Sequence, residues 1–177
     1  MRTSALISVV LAIAVISTNA QGTTDPKVQG LLKMLFPGAA GFSPKGGDPP
    51  HYKVYGGGSG DQTTGLAFWT TELEPLERGY DGPIKILVGM DTKGILSGIV
   101  VVEHHEPYGN FSIDLPRFPA QFRGKSIRDP FKVGGDIDAV SRATMTITSA
   151  SRAVRNSARR VARQFLAPPS GDNAARP

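Results

Sequence analysis

Ile84–Met90 reads IKILVGM, Asp91–Gly94 reads DTKG, and Ile95–His105 reads ILSGIVVVEHH. Two apolar, β-branched runs separated by four residues that close on a glycine form the pattern of a β-hairpin. Gly94 stands where the turn needs a positive φ, which glycine adopts without the penalty a side chain brings. The second run is apolar on both faces at its centre and is expected to be a central strand of a sheet. Towards the N-terminus, Gly65–Thr71 (GLAFWTT) and His51–Tyr55 have the composition of two more strands. Asp25 and Pro26 have the form of an N-cap and first residue of a helix, with Val28, Leu31, Leu32 and Leu35 at helical spacing and Pro37-Gly38 as its stop. Residues 38–50 are rich in Gly and Pro and are expected to be loop, and Gly56–Gly60 a flexible turn without the spacing of a phosphate loop. Towards the C-terminus, residues 107–136 are turn-rich, with aromatic residues at Phe111, Phe118, Phe122 and Phe131. A last helix is expected from about Thr146–Ser149 to Phe165, with Val154, Ala158, Val161, Ala162 and Phe165 as its apolar stripe. Strands follow strands and helices stand at the two ends, so the expected class is α+β: an antiparallel sheet built from hairpins, with an N-terminal and a C-terminal helix packed against it.

Composition narrows the chemistry. The chain of 177 residues contains no cysteine, which removes disulfides, iron–sulfur clusters, thiolate zinc sites and cysteine nucleophiles. Its three histidines are His51, His104 and His105; the last two alternate across a strand and point to opposite faces, so no metal site is expected. There is no G-x-S-x-G element, and no residue is assigned a catalytic role. Arg2, the apolar stretch Ala5–Ile16 and the small residues Thr18-Asn19-Ala20 have the form of a secretory signal peptide over residues 1–20, which implies an extracytoplasmic, periplasmic location. Residues 21–29 are read as a leader and 167–177, APPSGDNAARP, as a disordered tail. The formal net charge is +5, and six arginines lie beyond Ser149. Arg152, Arg155, Arg159 and Arg163 recur at three- and four-residue spacing and are expected to share one solvated helix face, a candidate docking stripe for a redox partner. An exported protein has little occasion to meet nucleic acid, and none is expected as a partner.

Residues 138–146 read DAVSRATMT, just ahead of the last helix. Hydroxyls at Ser141, Thr144 and Thr146 near a helix N-terminus, with its unpaired N–H groups and positive dipole, suit a phosphate. The same residue types also serve as ordinary caps, and the residues alone leave both readings open.

The stretch resembles the motif D-x-x-[ST]-G-A-[ST] of the FMN-binding domain found in extracytoplasmic components of sodium-translocating NADH:quinone reductases and of Rnf complexes, and in NosR-like regulators. Asp138 matches the acid, Ser141 the hydroxyl, Ala143 the alanine and Thr144 the last residue; Arg142 stands where the family has glycine. Leu35-Phe36-Pro37-Gly38, Gly79-Tyr80-Asp81-Gly82-Pro83 and His104-His105-Glu106 resemble further elements of the family in the same order. The resemblance implies an FMN-binding domain over residues 30–166, with FMN joined through a phosphoester to Thr144 by a flavin transferase that uses FAD. It implies a cofactor site made of Thr144, Ser141, Asp138, Ala143, Arg142 and Thr146, with His104, Glu106, Tyr80 and Gly82 lining the pocket. The function it implies is that of an electron carrier more than of a stand-alone enzyme. Its redox partner would be a cytochrome, a copper protein or a membrane reductase, and contact with a membrane would come only through that partner. Two rival readings share the fold: a flavin-free sensory or assembly module, and a small flavin-dependent reductase.

Overall fold

The computed structural model of the protein describes residues 25–57 and 62–166. The stretch read as a signal peptide, residues 21–24 of the expected leader, part of the glycine-rich turn and the stretch read as a C-terminal tail lie outside the described residues.

Helix α1 spans Pro26–Leu35, and the Asp25 carboxylate accepts the Lys27 N–H at 2.8 Å, closing one of the donors that a helix start leaves open. Strands β1 (Ala39–Phe42), β2 (Tyr52–Gly56), β3 (Thr63–Trp69), β4 (Lys85–Asp91) and β5 (Leu96–Glu103) form one antiparallel sheet in chain order. One-turn helices α2 (Thr70–Leu73) and α3 (Arg117–Ala120) and the long helix α4 (Thr144–Phe165) complete the fold. The expected class is the observed one: a sheet of hairpins with the N-terminal and C-terminal helices packed against it.

Strand alternation separates two cores. Ile86, Val88 and Met90 of β4 and Leu66 and Phe68 of β3 face α4, where they meet Ile147, Val154, Ala158 and Val161. Leu87, Ala67, Trp69 and Tyr52 face the other way and bury Leu32 and Leu35 of α1. Trp69 is core, and its Nε1–H donates to the Tyr52 hydroxyl at 3.4 Å.

Two expectations are corrected. Ala39–Phe42, read as loop from its glycines, is a strand: Gly41 pairs with Tyr55 and Phe42 with Val54, with an irregularity between Ala39 and Gly41. An edge strand pairs on one side only and tolerates glycine better than an inner one does. Strand β5, read as central, ends the sheet order. Its centre is apolar on both faces because α1 packs on one of them and Ile99 enters the α4-side core on the other. Its outer edge is partly closed as well: Leu96 N–H donates to Lys125 O, Gly124 N–H to Leu96 O and Ile127 N–H to Gly94 O. A doubly covered strand therefore need not be an inner one.

Candidate functional site at the start of α4

Helix α4 begins at Thr144, earlier than its apolar stripe suggests, with Ala143 in the cap position and no side chain capping the end. Ala143 is 1% exposed and packs into the main core. Its N–H donates to Val140 O at 3.1 Å, so residues 140–143 form a turn with Arg142 third at φ 69°. Positive φ at the third residue is the mark of a type II turn, which glycine fits best. Arg142 therefore adopts the left-handed conformation that the glycine of the resembled motif would supply, and its side chain is exposed.

The three hydroxyls differ in circumstance. Ser141 and Thr144 are exposed, whereas Thr146 is 3% exposed and donates a short hydrogen bond to the Glu106 carboxylate. Glu106 is itself 6% exposed and also accepts the N–H groups of Tyr80 and Asp81, both at 3.0 Å. One carboxylate thus ties the end of the β5 segment to the loop before β4 and to the first turn of α4. Gly79 lies so close to that carboxylate that a Cβ would collide with it. The Glu106 N–H donates to His104 Nδ1 at 3.1 Å, so the ring's proton sits on Nε2 and is given to Asp114 at 2.8 Å. His105 is exposed. Tyr80 is 71% exposed, and Gly82 holds φ 112° and accepts the Gly79 N–H at 2.8 Å.

A cleft of about 400 Å³ opens beside the motif. One wall is the loop Asp138-Ala139-Val140-Ser141; the other carries Ser112, Arg117, Phe118 and Gln121, and Ile147 contributes from α4. Gln121 stitches the walls together, its Oε1 accepting the Asp138 N–H at 2.7 Å and its Nε2 donating to Arg117 O at 3.2 Å. The loop leading into this wall is shaped by Asp136, which accepts from Lys125 Nζ and from the N–H groups of Phe131 and Lys132. Partial burial raises the Asp136 pKa, but these donors outweigh it and hold the group below its usual range. The structure brings Ser141 and Asp138 to the cleft and leaves Thr144 exposed on the adjoining helix end; His104 and Glu106 serve the buried junction, and Tyr80 stands on its rim. Arg117, Gln121 and Ser112 carry no sequence signal that singles them out, since only folding sets α3 against the motif.

A larger cleft of about 530 Å³ lies at the far end of α4, among Ile127, Arg128, Arg159, Ala162, Arg163 and Leu166. It holds none of the motif residues. Size alone would favour it, but the polar groups of the motif converge on the smaller one.

The expected arginine stripe is not one solvated face. Arg152 forms a two-point pair with Glu77 at 2.8 Å, which raises its already high pKa, and Ser149 Oγ donates to the same carboxylate at 2.9 Å. Arg159 is half-buried and donates to Ile127 O and Asp129 O at 2.8 Å. Arg155 reaches Pro130 O at 3.4 Å, and Arg160, from the neighbouring face, donates to Leu73 O at 2.9 Å. These side chains pin loops onto α4, which leaves less of the stripe for a partner.

Residues 79–159 match the FMN-binding domain family. The chain is 33% identical over 120 residues to the G subunit of the ion-translocating oxidoreductase complex of Erwinia tasmaniensis, covering 62% of this chain and 55% of that one. It is 38% identical over 91 residues to the G subunit of the same complex of Pseudomonas aeruginosa, covering 46% and 42%. It is 27% identical over 164 residues to the regulatory protein NosR of Stutzerimonas stutzeri, covering 87% of this chain and 22% of that one. The chain thus spans about half the length of the first of these relatives and about a fifth of the last.

Proposed function

Since this chain belongs, through residues 79–159, to the FMN-binding domain family, we propose that it is an exported electron-transfer flavoprotein whose FMN is joined by a phosphoester to Thr144. The observation that carries the reading is the division of labour among the hydroxyls. Thr146 is committed to Glu106, whereas Thr144 stands exposed at an uncapped helix start beside a cleft of suitable size. The residues present fit the group: free N–H groups and the dipole at the α4 start favour a phosphate, and exposed Arg142 lies two residues from the anchor. Phe118, Val140 and Ile147 give the cleft an apolar lining, and Ser112, Arg117, Gln121 and Ser141 give it polar groups.

In attachment, the Thr144 hydroxyl displaces AMP from FAD on the transferase: its oxygen forms the new bond to phosphorus, the phosphoanhydride bond breaks, and its proton leaves to the medium. When bound, the flavin supplies one- and two-electron redox chemistry, and the protein orients it and tunes it through nearby charge. A covalent tether suits an extracytoplasmic location, where a noncovalent site of micromolar affinity, about −8 kcal/mol, would empty in the absence of free flavin. The partner is an exported or membrane-bound redox protein, in keeping with the ion-translocating oxidoreductase complex after which the first relatives are named. Among the described residues no helix is long and apolar enough to cross a membrane.

The test is co-expression with a flavin transferase, followed by intact-mass and peptide mapping. The native chain is expected to gain FMN less one water on the peptide holding Thr144, and Thr144→Ala to gain nothing while remaining folded. FMN mapped to Ser141 or Thr146, or an unmodified native chain beside an active cognate transferase, would overturn the reading.

A further inference from the structure

The cleft beside the motif carries a cation with no acidic partner among the described residues. Arg117 lines it, takes part in none of the ion pairs among the described residues, and its one side-chain hydrogen bond is a long 3.5 Å contact from Nη2 to Phe111 O. Its position is nevertheless well held. The next residue, Phe118, is 2% exposed and stacks edge-on against Phe122, which is fully buried, with ring centres 5.1 Å apart. The Arg117 carbonyl accepts from Gln121, which also holds the opposite wall at Asp138. The backbone at Arg117 is therefore anchored while its guanidinium is left without a counterion at the mouth of a polar cleft. An arginine placed this way is suited to a planar acceptor pair, which its fork of N–H donors meets at two points.

We propose that Arg117 is a flavin-binding residue that raises the reduction potential of the attached flavin by pairing with the N1 and C2 carbonyl edge of the ring. This rests on the reading of Thr144 as the anchor. On two-electron reduction the ring takes up two electrons and one proton, the proton at N5, and the remaining negative charge rests on the N1–C2 carbonyl edge. The electrons come from dithionite in a titration and from the redox partner in place. A cation at that edge stabilises the reduced ring more than the oxidised one; Arg117 is exposed, so solvent screens part of its effect. Asp138, on the opposite wall, works in the other direction, so the sign of the effect isolates Arg117 from the cleft's general polarity.

The experiment compares the midpoint potential of the flavinylated native protein with Arg117→Gln and Arg117→Lys, each loaded by the same transferase. Arg117→Gln keeps the carbonyl that Gln121 grips, so the cleft wall survives. The expected result, read on the fraction that carries FMN on Thr144, is a potential lowered by at least about 30 mV in Arg117→Gln, a roughly tenfold loss of preference for the reduced ring in a two-electron couple. Arg117→Lys, which keeps the charge without the fork, is expected to fall between. A loaded Arg117→Gln whose potential is unchanged or raised overturns this inference alone. Reduced loading with an unchanged potential in the loaded fraction would assign Arg117 to the phosphate and overturn it too. A native chain that takes no flavin overturns the reading of Thr144, and this inference with it.

Discussion

Arg142 occupies the one position of the motif where the chain turns left-handed, at φ 69°. A side chain there costs about 1–2 kcal/mol relative to the right-handed region, and the exposed arginine recovers none of it in packing. Glycine would remove that strain but adds about 0.5–1 kcal/mol of chain entropy. Alanine would keep the strain and lose the charge. Arg142→Gly is therefore expected to be more stable than Arg142→Ala by about 1 kcal/mol, the reverse of their order in a helix interior, as read from urea midpoints. Equal midpoints would mean that the 140–143 turn relaxes out of the left-handed region without cost. On the proposed reading, the same geometry keeps an exposed guanidinium two residues from Thr144, where a phosphate joined to that hydroxyl would meet it.

Helix α4 does more than bury one face. Its buried side carries Ile147, Ala150, Val154, Ala158 and Val161 into the core, and its flanks send arginines outward to hold other segments. Arg159 satisfies two carbonyls of the loop that closes the β5 edge, where Ile127 N–H pairs with Gly94 O at 2.9 Å. A hydrogen bond from a charged group contributes about 1.5–3 kcal/mol when both ends are shielded and less at a half-exposed site. Arg159→Gln is expected to cost about 1 kcal/mol in all, on the same scale. Its clearest signature should be faster amide exchange at Ile127, with β3 and β4 unaffected. If exchange at Ile127 is unchanged, the arginine is surface decoration and the stripe regains its candidacy as a docking face. Charge reversal at Arg155 or Arg159 tests docking only together with such a measurement, because both side chains already hold backbone.

The fold converges on Glu106. Its carboxylate joins the segment after β5 to residues 80 and 81 and to Thr146, contacts 25, 26 and 40 residues apart in the chain. His104 and Asp114 extend the junction to the 3-10 turn at Gly109–Phe111, where Gly109 lies against the His104 ring. Removing the carboxylate leaves two backbone N–H groups and a buried hydroxyl without their acceptor. Water can reach the exposed 80–81 loop, so Thr146 carries most of the penalty, about 1–3 kcal/mol. Glu106→Ala is expected to lower the melting temperature by about 5 °C, at roughly 2–4 °C per kcal/mol for a protein of this size. An unchanged melting temperature in thermal denaturation would show that the junction does not hold the domain together. The variant also frees the Thr146 hydroxyl, so, on the proposed reading, mapping FMN in Glu106→Ala asks whether that bond keeps attachment off Thr146.

Local signals in the sequence were enough for α1, for the hairpin of β4 and β5, and for α4. Asp25 caps a helix two residues away, Gly94 turns a hairpin at φ 80°, and an apolar stripe repeats along one helix. Each of these depends on residues within a turn or two of one another, so the chain carries the information where it is used. The order of residue types at 138–146 is equally local, and its last three residues form the first turn of α4. What packing decided lies between distant segments. Strand β5 is apolar on two faces at the sheet's edge because α1 and the α4-side core reach it from opposite sides, and no local pattern distinguishes that from an inner strand. Arginines at helical spacing read as one solvated stripe until Glu77 and the loop at 127–130 fold onto them. Three hydroxyls near one helix start are equivalent in sequence, and they differ only because a carboxylate 40 residues away reaches one of them. Arg117 gains its cleft through contacts of α3 with a loop that begins 21 residues later. Periodicity and capping act within a few residues, whereas burial and long-range hydrogen bonds exist only once the chain has closed on itself.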